Sequence, residues 1–347
     1  MLVGIHVDQY GGFCKFLQRY ETILNANGIN HRRVDVNDKD FWSIVQSLDL
    51  FIFRWRHSDW YRQLAQSVLP VIEQRTGVAC FPNQVTCWHY DDKIRQYYLL
   101  SSSGFPMVDT WIFWDELKAL EWAQSTKYPV VFKLKGGAGS QNVLLVSDRQ
   151  KASKLIRQMF AKGIFSNRIR DLKATRLVDF DLRKGIRHFG RLFLDKLDGH
   201  KWGSNWQLER GYVMFQKFLP GNRFDTRVTV IGNRAFAYRR WNRDSDFRAS
   251  GSGKIDTSPE QIDRRCIEIA HMVSRELGFQ SMAYDFLFDE SGAPFFCEIS
   301  YTYVDSLVWS CPGYWDRDLV WHPGHFWPQY CQLVDLTGIP DMVQPDM

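Results

Sequence analysis

The stretch Asp285-Phe-Leu-Phe-Asp-Glu-Ser-Gly-Ala-Pro-Phe-Phe-Cys-Glu-Ile-Ser300 places two carboxylates within two short apolar runs. Residues 282–288 and 294–299 have the composition of strands, and the Asp-Glu-Ser-Gly between them is typical of a turn. We therefore predict a β-hairpin that brings Asp285 and Glu298 close together across the ladder. Carboxylates in apolar surroundings need a cation, and such hard oxygen ligands suit Mg²⁺. The alternative is a strand edge with two solvated acids.

A second motif lies upstream, where residues 128–146 read as a strand with two lysines, a glycine-rich loop and another strand. Glycines let backbone N–H groups approach phosphate oxygens closely, and a strand lysine adds a positive charge. No Gly-Lys-Ser/Thr follows, so this is not a Walker A loop, and an ordinary turn is the alternative. The candidate phosphate ligands are Lys133, Lys135, Gly137, Gly139 and Ser140.

The third motif begins with Gly211-Tyr-Val-Met-Phe-Gln-Lys-Phe-Leu-Pro-Gly221, which predicts a buried strand. The strand ends at Gln216, Lys217, Phe218 and Leu219, where backbone groups can bind an adenine edge. A hairpin follows that turns at Gly232-Asn233, as two-residue hairpin loops prefer. In and near it, Asp225 can accept from ribose hydroxyls, and Arg227, Arg239 and Arg240 can face phosphate. A second Gly/Ser loop, 246–254, comes next.

These blocks, in this order, resemble the ATP-grasp superfamily, nearest the branch of bacterial glutathione synthetase and the ribosomal protein glutamate ligases. The resemblance covers about residues 82–300 and implies a mixed α/β and α+β protein. An N-terminal βαβ pre-ATP-grasp lobe would occupy residues 1–90, and two α+β lobes that sandwich ATP would occupy 91–215 and 216–347.

The resemblance also implies a role for each matching residue. In that family a lysine of an entry helix, a strand lysine and a Gly-rich flap hold the nucleotide phosphates, a hinge segment binds adenine, and acids bind ribose and metal. On this chain the phosphate roles fall on Lys93, Lys133 and the loop 136–142, the hinge on Gln216–Leu219, ribose on Asp225, metal on Asp285, Glu298 and Ser300, and acylphosphate neutralisation on Arg227, Arg240 and Arg248.

The sequence departs from the family pattern at two positions. Ser300 stands two residues after the metal-binding glutamate, where the family has Asn, and Ser250 replaces the Asn of an Arg-x-Asn loop. A serine hydroxyl is a shorter and weaker ligand than an amide carbonyl. The number of metal ions, one or two, is therefore open.

Composition agrees with a soluble enzyme of 347 residues, 45% hydrophobic and 24% charged. No run of 18 apolar residues occurs, and the chain starts as a strand instead of a charged signal segment. The seven cysteines are odd in number and unpatterned, which favours reduced thiols and a cytoplasmic location. Residues 1–80 alternate strand and helix, which predicts a small parallel sheet covered by helices.

Positive charge is concentrated in residues 151–210, which hold 15 Lys/Arg and 6 Asp/Glu. The segment reads either as a solvated helix face or as a surface for a polyanion, such as a phosphorylated or nucleotide-linked sugar or an anionic membrane. It carries no nucleic-acid reader motif, so no nucleic acid is expected.

Aromatic residues crowd the segments 301–315 and 321–328, directly after the metal hairpin. They are placed to wall an acceptor site, although buried tryptophans are more often core. The aromatic content and the 246–254 loop resemble ATP-grasp proteins encoded with bacterial surface polysaccharide synthesis.

We expect an ATP- and Mg²⁺-dependent ligase that joins a small or sugar-linked acid to an amine or thiol through an acylphosphate. Two alternatives use the same nucleotide site: a small-molecule or sugar kinase, and a nucleotide-binding module without turnover. The identities of acid and amine, and the oligomeric state, a homodimer included, stay open.

Overall fold

The computed structural model describes residues 1–7, 14–55, 59–137, 142–166, 207–243, 246–249, 251–339 and 341–347. The chain divides into two compact units. The first consists of Met1–Arg56, Tyr61–Val108 and Leu219–Met347, and the second is mainly Asp109–Phe218. The three-part division drawn from the sequence stays a prediction.

Strands and helices alternate in the first third of the chain, and strands dominate the rest. The strands are β1 Leu2–His6, β2 Asn30–Val34, β3 Leu50–Ile52, β4 Ala79–Phe81, β5 Thr110–Phe113, β6 Val130–Lys133, β7 Val143–Val146, β8 Ile164–Phe165, β9 Leu208–Glu209, β10 Val213–Lys217, β11 Phe224–Ile231, β12 Arg234–Trp241, β13 Ile255–Asp256, β14 Ser281–Phe288, β15 Pro294–Ser300, β16 Gly313–Trp315 and β17 Trp321–Pro323. The helices are α1 Lys15–Ala26, α2 Phe41–Gln46, α3 Asp59–Val71, α4 Gln84–Cys87, α5 Lys93–Ser102, α6 Glu116–Ser125, α7 Arg149–Phe160, α8 Arg264–Glu276, α9 Asp305–Trp309 and α10 Pro328–Thr337.

The N-terminal part of the first unit is a parallel sheet with strand order β2-β1-β3-β4. Val3 and Ile5 of β1 are fully buried and share a core with Leu17, Tyr20 and Leu24 of α1. The spacing of those three residues places them on one face of the helix. The predicted small parallel sheet is thus confirmed.

The larger sheet of the first unit is antiparallel, with order β15-β14-β11-β12-β16-β17 and β13 paired to β12. Helix α8 covers it through Cys266, Ile267, Ala270 and Val273, which share a core with the sheet. Because one face is packed in this way, the side chains of alternate residues are left for the opposite face. The charged residues predicted to form the site lie in this sheet.

The predicted hairpin at 285–298 is confirmed. Asp285 and Glu298 are directly paired across β14 and β15, and a bulge follows between Asp285 and Phe286. The turn closes where the Asp289 N–H donates to the Ala293 carbonyl at 3.0 Å. The hairpin turn at Gly232-Asn233, between β11 and β12, is also confirmed.

The second unit contains an antiparallel sheet of order β5-β10-β6-β7. Its core is aromatic: Trp122 of α6 stacks on Phe215 with ring centroids 4.7 Å apart, and Phe132 packs against Phe215 at 5.6 Å. Among the described residues, no helix combines the length and apolar character needed to cross a membrane.

Candidate active site

Five charged side chains lie at neighbouring positions of the larger sheet. Arg240 is paired with Asp225, Arg227 with Asp285, and Asp285 with Glu298. Asp225 and Arg227 are two residues apart on one strand and therefore share a face. The sheet register thus assembles on one face a group that is spread over more than seventy positions of sequence.

Two arginines and two aspartates of this group form one buried ion network. Arg227 binds Asp285 through Nε to Oδ1 at 2.6 Å and Nη2 to Oδ2 at 2.7 Å. Arg240 binds Asp225 in the same fork geometry at 2.7 and 2.6 Å. Nη2 of Arg240 also lies 2.7 Å from Asp285 Oδ2, which joins the two pairs. Bidentate, charge-assisted pairs of this kind fix both position and orientation.

The pKa values of the two aspartates in this network are shifted in opposite directions. Burial alone would raise the pKa of Asp285, but the charges of Arg227 and Arg240 outweigh it and hold that pKa well below its ordinary value. Burial raises the pKa of Asp225, opposed by Arg240 and reinforced by the charge of Asp285. Asp285 is therefore the more firmly ionised of the two carboxyl groups.

Glu298 has a different partner, a lysine from outside the sheet. Lys93 begins α5, where the Asp92 side chain caps the helix by accepting from the Ile94 and Arg95 N–H groups at 3.1 Å each. Its Nζ lies 3.2 Å from Glu298 Oε1, and its side chain is 5% exposed against 33% for Glu298. Burial would lower the pKa of Lys93, but Glu298 and Asp91 raise it overall, so the ammonium is retained.

The donor set of Asp285 and Glu298 fits a Mg²⁺ ion that completes its shell with water and phosphate. Asp285 Oδ2 already accepts two hydrogen bonds and Oδ1 accepts one, which leaves a lone-pair position on Oδ1. Glu298 is the more exposed carboxylate. The Ser300 hydroxyl donates to the Thr302 carbonyl at 2.9 Å. Within the described part of the chain, no group of three or more His, Cys, Asp or Glu is arranged to share a metal.

In the second unit, Lys133 is joined to the start of the predicted adenine hinge. Its Nζ donates to Gln216 Oε1 at 2.6 Å, and Gln216 Nε2 donates to Thr110 Oγ1 at 3.1 Å. All three side chains are buried. The pairing of β6 and β5 with β10 brings them together, so this chain of side chains fixes the lysine relative to the hinge strand.

The next residue of the predicted hinge, Lys217, contacts Asp109 through both its backbone and its side chain. The Lys217 N–H donates to the Asp109 carbonyl at 2.8 Å, and the Lys217 ammonium lies 3.3 Å from Asp109 Oδ2. Phe218 ends the second unit and Leu219 begins the last segment of the first. In the sequence, the boundary between the two units thus falls between Phe218 and Leu219.

The base of the glycine-rich loop needs glycine at 137. Gly137 has φ 105°, and a Cβ there would lie 2.3 Å from the Asn142 side-chain nitrogen. Asn142 in turn donates to the Gly136 carbonyl at 2.9 Å and is buried. The sequence analysis included Asn142 in the loop 136–142 but did not predict this structural role, for which its position between a Gly-rich loop and an apolar strand was the available signal. Gly139 and Ser140 lie outside the described residues.

Lys135 is not on a strand, contrary to the prediction. Strand β6 ends at Lys133, and the Lys135 N–H donates to the Tyr212 hydroxyl at 2.9 Å. Its ammonium lies 3.7 Å from Glu209. The strand ends because the backbone turns to start the loop, where a side-chain hydroxyl replaces a ladder partner.

Two further predicted features lie farther along the chain. Arg248 contacts the carboxylate of Asp246, two residues earlier, through Nε at 3.0 Å. Most of the basic segment, residues 167–206, lies outside the described residues, so the acceptor surface predicted there stays a prediction.

No protein-family model matches the sequence, and no curated protein matches it at a significant level. Solved structures do match. A RimK-domain ATP-grasp protein from Sphaerobacter thermophilus DSM 20745 is 14% identical over 88% of this chain and 93% of that chain, with a TM-score of 0.51. The D-cycloserine synthetase DcsG is 15% identical over 87% and 91%, with a TM-score of 0.52. The Staphylococcus aureus N5-carboxyaminoimidazole synthetase in complex with ADP is 12% identical over 97% and 77%, with a TM-score of 0.58.

These likenesses concern the arrangement of the backbone. The chain has the ATP-grasp fold, as its sequence motifs predicted. The roles assigned to individual residues rest on the geometry described above and stay proposals.

Proposed function

We propose that this protein is an ATP- and Mg²⁺-dependent ligase that joins a carboxylate to an amine or a thiol. The ATP-grasp fold supports the choice of ATP as a substrate. Two of the similar structures are named synthetases, and one of them is in complex with ADP. The observation that carries the proposal is the row of Arg240, Asp225, Arg227, Asp285 and Glu298 on one face of the larger sheet.

In the proposed reaction an oxygen of the substrate carboxylate attacks the γ-phosphorus of ATP, and the bond between that phosphorus and the ADP oxygen breaks. The amine then attacks the acylphosphate carbonyl, phosphate leaves, and the amine gives up its proton. The protein contributes position and charge, because phosphoryl transfer needs little covalent help. Mg²⁺, when bound, neutralises phosphate charge.

The two buried arginines have the donors that this chemistry needs. A guanidinium carries five N–H donors, and Asp225 and Asp285 use the Nε and Nη2 groups of Arg227 and Arg240. Within the described residues the Nη1 groups of both make no hydrogen bond. We assign them to the oxygens of the acylphosphate and its transition state, where preorganised donors act most strongly.

The other assignments follow from position. Glu298, with the open lone pair of Asp285 Oδ1, holds Mg²⁺. Lys93 lies beside that carboxylate and is assigned to a phosphate of ATP. Lys133 is assigned a phosphate role as well. Lys135, Gly137, Gly139 and Ser140 form the phosphate-binding flap. Gln216–Leu219 binds adenine, Asp225 is assigned to ribose, and Arg248 and Ser300 complete the acylphosphate and metal sites.

A coupled assay of ADP and phosphate release tests the proposal against the kinase and the inactive binder. A thermal-shift screen with a non-hydrolysable ATP analogue and Mg²⁺ first selects candidate amino acids, sugar acids and nucleotide sugars, since ligands of the native state raise apparent stability. A ligase releases free phosphate only when both acid and amine are present. A kinase forms ADP but retains phosphate on its acceptor, and a binder forms neither product.

The finer parts of the proposal are a sugar-linked acid, a place in surface polysaccharide modification, a cytoplasmic location and a homodimer. The basic segment supports the sugar-linked acid, because its charge suits a phosphorylated or nucleotide-linked substrate, and the unpatterned cysteines support the cytoplasmic location. A nucleotide sugar that is selected in the screen and consumed in the assay would support that choice.

A further inference from the structure

Arg54 lies at the carboxyl end of the parallel sheet, two residues after β3. Ligands of open α/β sheets bind at this end of the strands. The next residue, Trp55, donates its backbone N–H to the Tyr301 hydroxyl at 2.7 Å, and Tyr301 comes directly after β15. This contact ties Arg54 to the strand that carries Glu298.

Among the described residues, the partners of the Arg54 guanidinium are weak ones. Its Nη1 lies 3.7 Å from Cys14 Sγ, and its Cζ lies 3.7 Å from the centroid of the Phe16 ring. A thiol is a weak acceptor and an aromatic face fixes the plane of the group without using its in-plane donors. Within the described residues Arg54 makes no ion pair, although it is half-buried.

Arg19, on the same helix as Phe16, differs from Arg54 because it has a carboxylate partner. It also stacks on an aromatic ring, that of Trp327 at 3.8 Å, but its Nη1 lies 2.6 Å from Asp305 Oδ2. Gln329 Nε2 donates to the same oxygen at 2.9 Å. The carboxylate of Asp305 is therefore engaged by Arg19, and no other carboxylate of the described residues pairs with Arg54.

The phenols around Arg54 do not neutralise it either. Tyr20, Tyr90 and Tyr301 all lie close enough for the charge of Arg54 to act on them. Burial raises the pKa of each phenol, and this outweighs the lowering effect of Arg54. All three hydroxyls therefore keep their protons at neutral pH.

The same aromatic residues connect Arg54 with the candidate active site. The Tyr90 ring contacts Trp55 and Tyr301 with centroids 5.9 and 4.9 Å away. Tyr90 precedes Lys93 by three residues, and Lys93 contacts Glu298. These buried rings thus join the segment that carries Arg54 to the start of α5 and to the end of β15, all within the first unit.

We propose that Arg54 is a specificity-determining residue that binds a carboxylate which does not react, so that one of the two organic substrates is an amino acid or a dicarboxylic acid. A guanidinium offers two parallel N–H donors that match the two oxygens of a carboxylate. The claim that this carboxylate belongs to a substrate rests on the proposed ligase function. The claim that Arg54 binds a carboxylate is independent of that function.

Cys14 provides a direct probe of this site. Its thiolate displaces iodide from iodoacetate or iodoacetamide, and only the first reagent carries a carboxylate. The ratio of the two alkylation rates, read by mass spectrometry, cancels changes in thiol reactivity because both reagents require the thiolate. Cys297, which is also partly exposed, gives the internal reference ratio.

In the wild-type protein we expect the iodoacetate-to-iodoacetamide ratio at Cys14 to exceed that at Cys297 by roughly tenfold, as a charge-assisted hydrogen-bond pair provides. Arg54→Gln should reduce the Cys14 ratio to that of Cys297. Arg33→Gln is the matched control, since Arg33 pairs with Glu21 on the surface and should leave both ratios unchanged. Equal Cys14 ratios in the wild type and Arg54→Gln would overturn the proposal, whatever the fate of the ligase assignment.

Competition separates carboxylates from phosphate as the ligand. Succinate and alanine should slow alkylation of Cys14 by iodoacetate in the wild type and have no effect in Arg54→Gln. Inorganic phosphate at the same concentration should protect less. Stronger protection by phosphate than by either carboxylate would overturn the assignment of a carboxylate.

Kinetics then test the role in the reaction. With a substrate found by the ATP-coupled screen, Arg54→Gln should raise KM for that substrate by roughly tenfold or more and leave KM for ATP unchanged. The carboxamide analogue should be disfavoured by the wild type and tolerated equally by Arg54→Gln. Equal discrimination by both proteins would remove Arg54 from substrate recognition, whereas inactivity with every substrate together with a normal alkylation result would reject the ligase function alone.

Discussion

Arg227 and Asp285 occupy directly paired positions on neighbouring strands and are joined by two parallel hydrogen bonds of 2.6 and 2.7 Å. The same carboxylate also contacts Arg240. Asp285 therefore neutralises two buried arginines, while Glu298, its other neighbour across the ladder, contacts Lys93 and is one-third exposed. The two carboxylates that the sequence marks as a pair have different physical tasks.

The first prediction concerns stability. Asp285→Asn should lower the free energy of unfolding by about 3–5 kcal/mol, because it leaves buried arginine charge uncompensated. Glu298→Gln should cost less, about 1–2 kcal/mol, since the side chain is more exposed and Lys93 keeps Asp91 nearby. Urea unfolding measures both. Equal losses would mean that the two carboxylates are not distinguished in the way described.

The second prediction is the pH dependence of that difference. The pKa of Asp285 is lower in the folded than in the unfolded state, so its stabilising contribution is complete above the unfolded pKa of about 4 and is lost as pH falls towards the folded value. The stability difference between wild type and Asp285→Asn should be constant from pH 7 to about 5 and shrink below about pH 4. A difference that grows on acidification would contradict the sign of this pKa shift.

Local patterns in the sequence predicted several elements of the fold. The two short apolar runs around Asp285 and Glu298 and the turn between them predicted the hairpin and the closeness of the two carboxylates. The Gly232-Asn233 turn predicted a second hairpin in the same way. Both follow from strand composition and turn chemistry, which operate within a few residues.

Partners that come from distant parts of the chain were not predictable in this way. Nothing near Gln216 shows that its side chain joins Lys133 to Thr110, since that contact requires the strand order β5-β10-β6. The capture of both Asp225 oxygens by Arg240 likewise depends on the register of two strands. The sequence motifs identified the residues of the ion network as candidates. Their pairing with one another could be seen only in the assembled sheet.

The third prediction tests the phosphate site of the second unit. Lys133→Met keeps most of the apolar stem and removes the ammonium, so the Kd for an ATP analogue with Mg²⁺ should rise by about one to two orders of magnitude. Calorimetry measures the affinity, and Lys118→Met, an exposed lysine of α6, is the control. Unchanged affinity in Lys133→Met would remove this lysine from the nucleotide site.

The fourth prediction concerns metal. Glu298→Gln should abolish Mg²⁺-dependent turnover, because glutamine keeps the shape but loses the charge that offsets the cation. Glu290→Gln, in the exposed hairpin turn, should have no effect. Ser300→Asn should preserve or raise turnover by supplying an amide oxygen in place of a hydroxyl that now donates to Thr302.

The control measurement for this site is the Mg²⁺ concentration that gives half-maximal activity. It should fall or stay constant in Ser300→Asn. Retention of most Mg²⁺-dependent activity by Glu298→Gln would show that Asp285 and Glu298 are not the metal pair.

The most direct test of the central claim is the transfer of oxygen-18 from a labelled substrate carboxylate to inorganic phosphate. In the acylphosphate mechanism the carboxylate oxygen that attacks ATP leaves with the phosphate, so we predict one labelled oxygen in each phosphate released, detected by mass spectrometry. Release of labelled phosphate should require ATP and Mg²⁺, and it should require the amine as well for full turnover. Unlabelled phosphate, with all of the label retained in the organic product, would contradict carboxylate activation and with it the proposed ligase function.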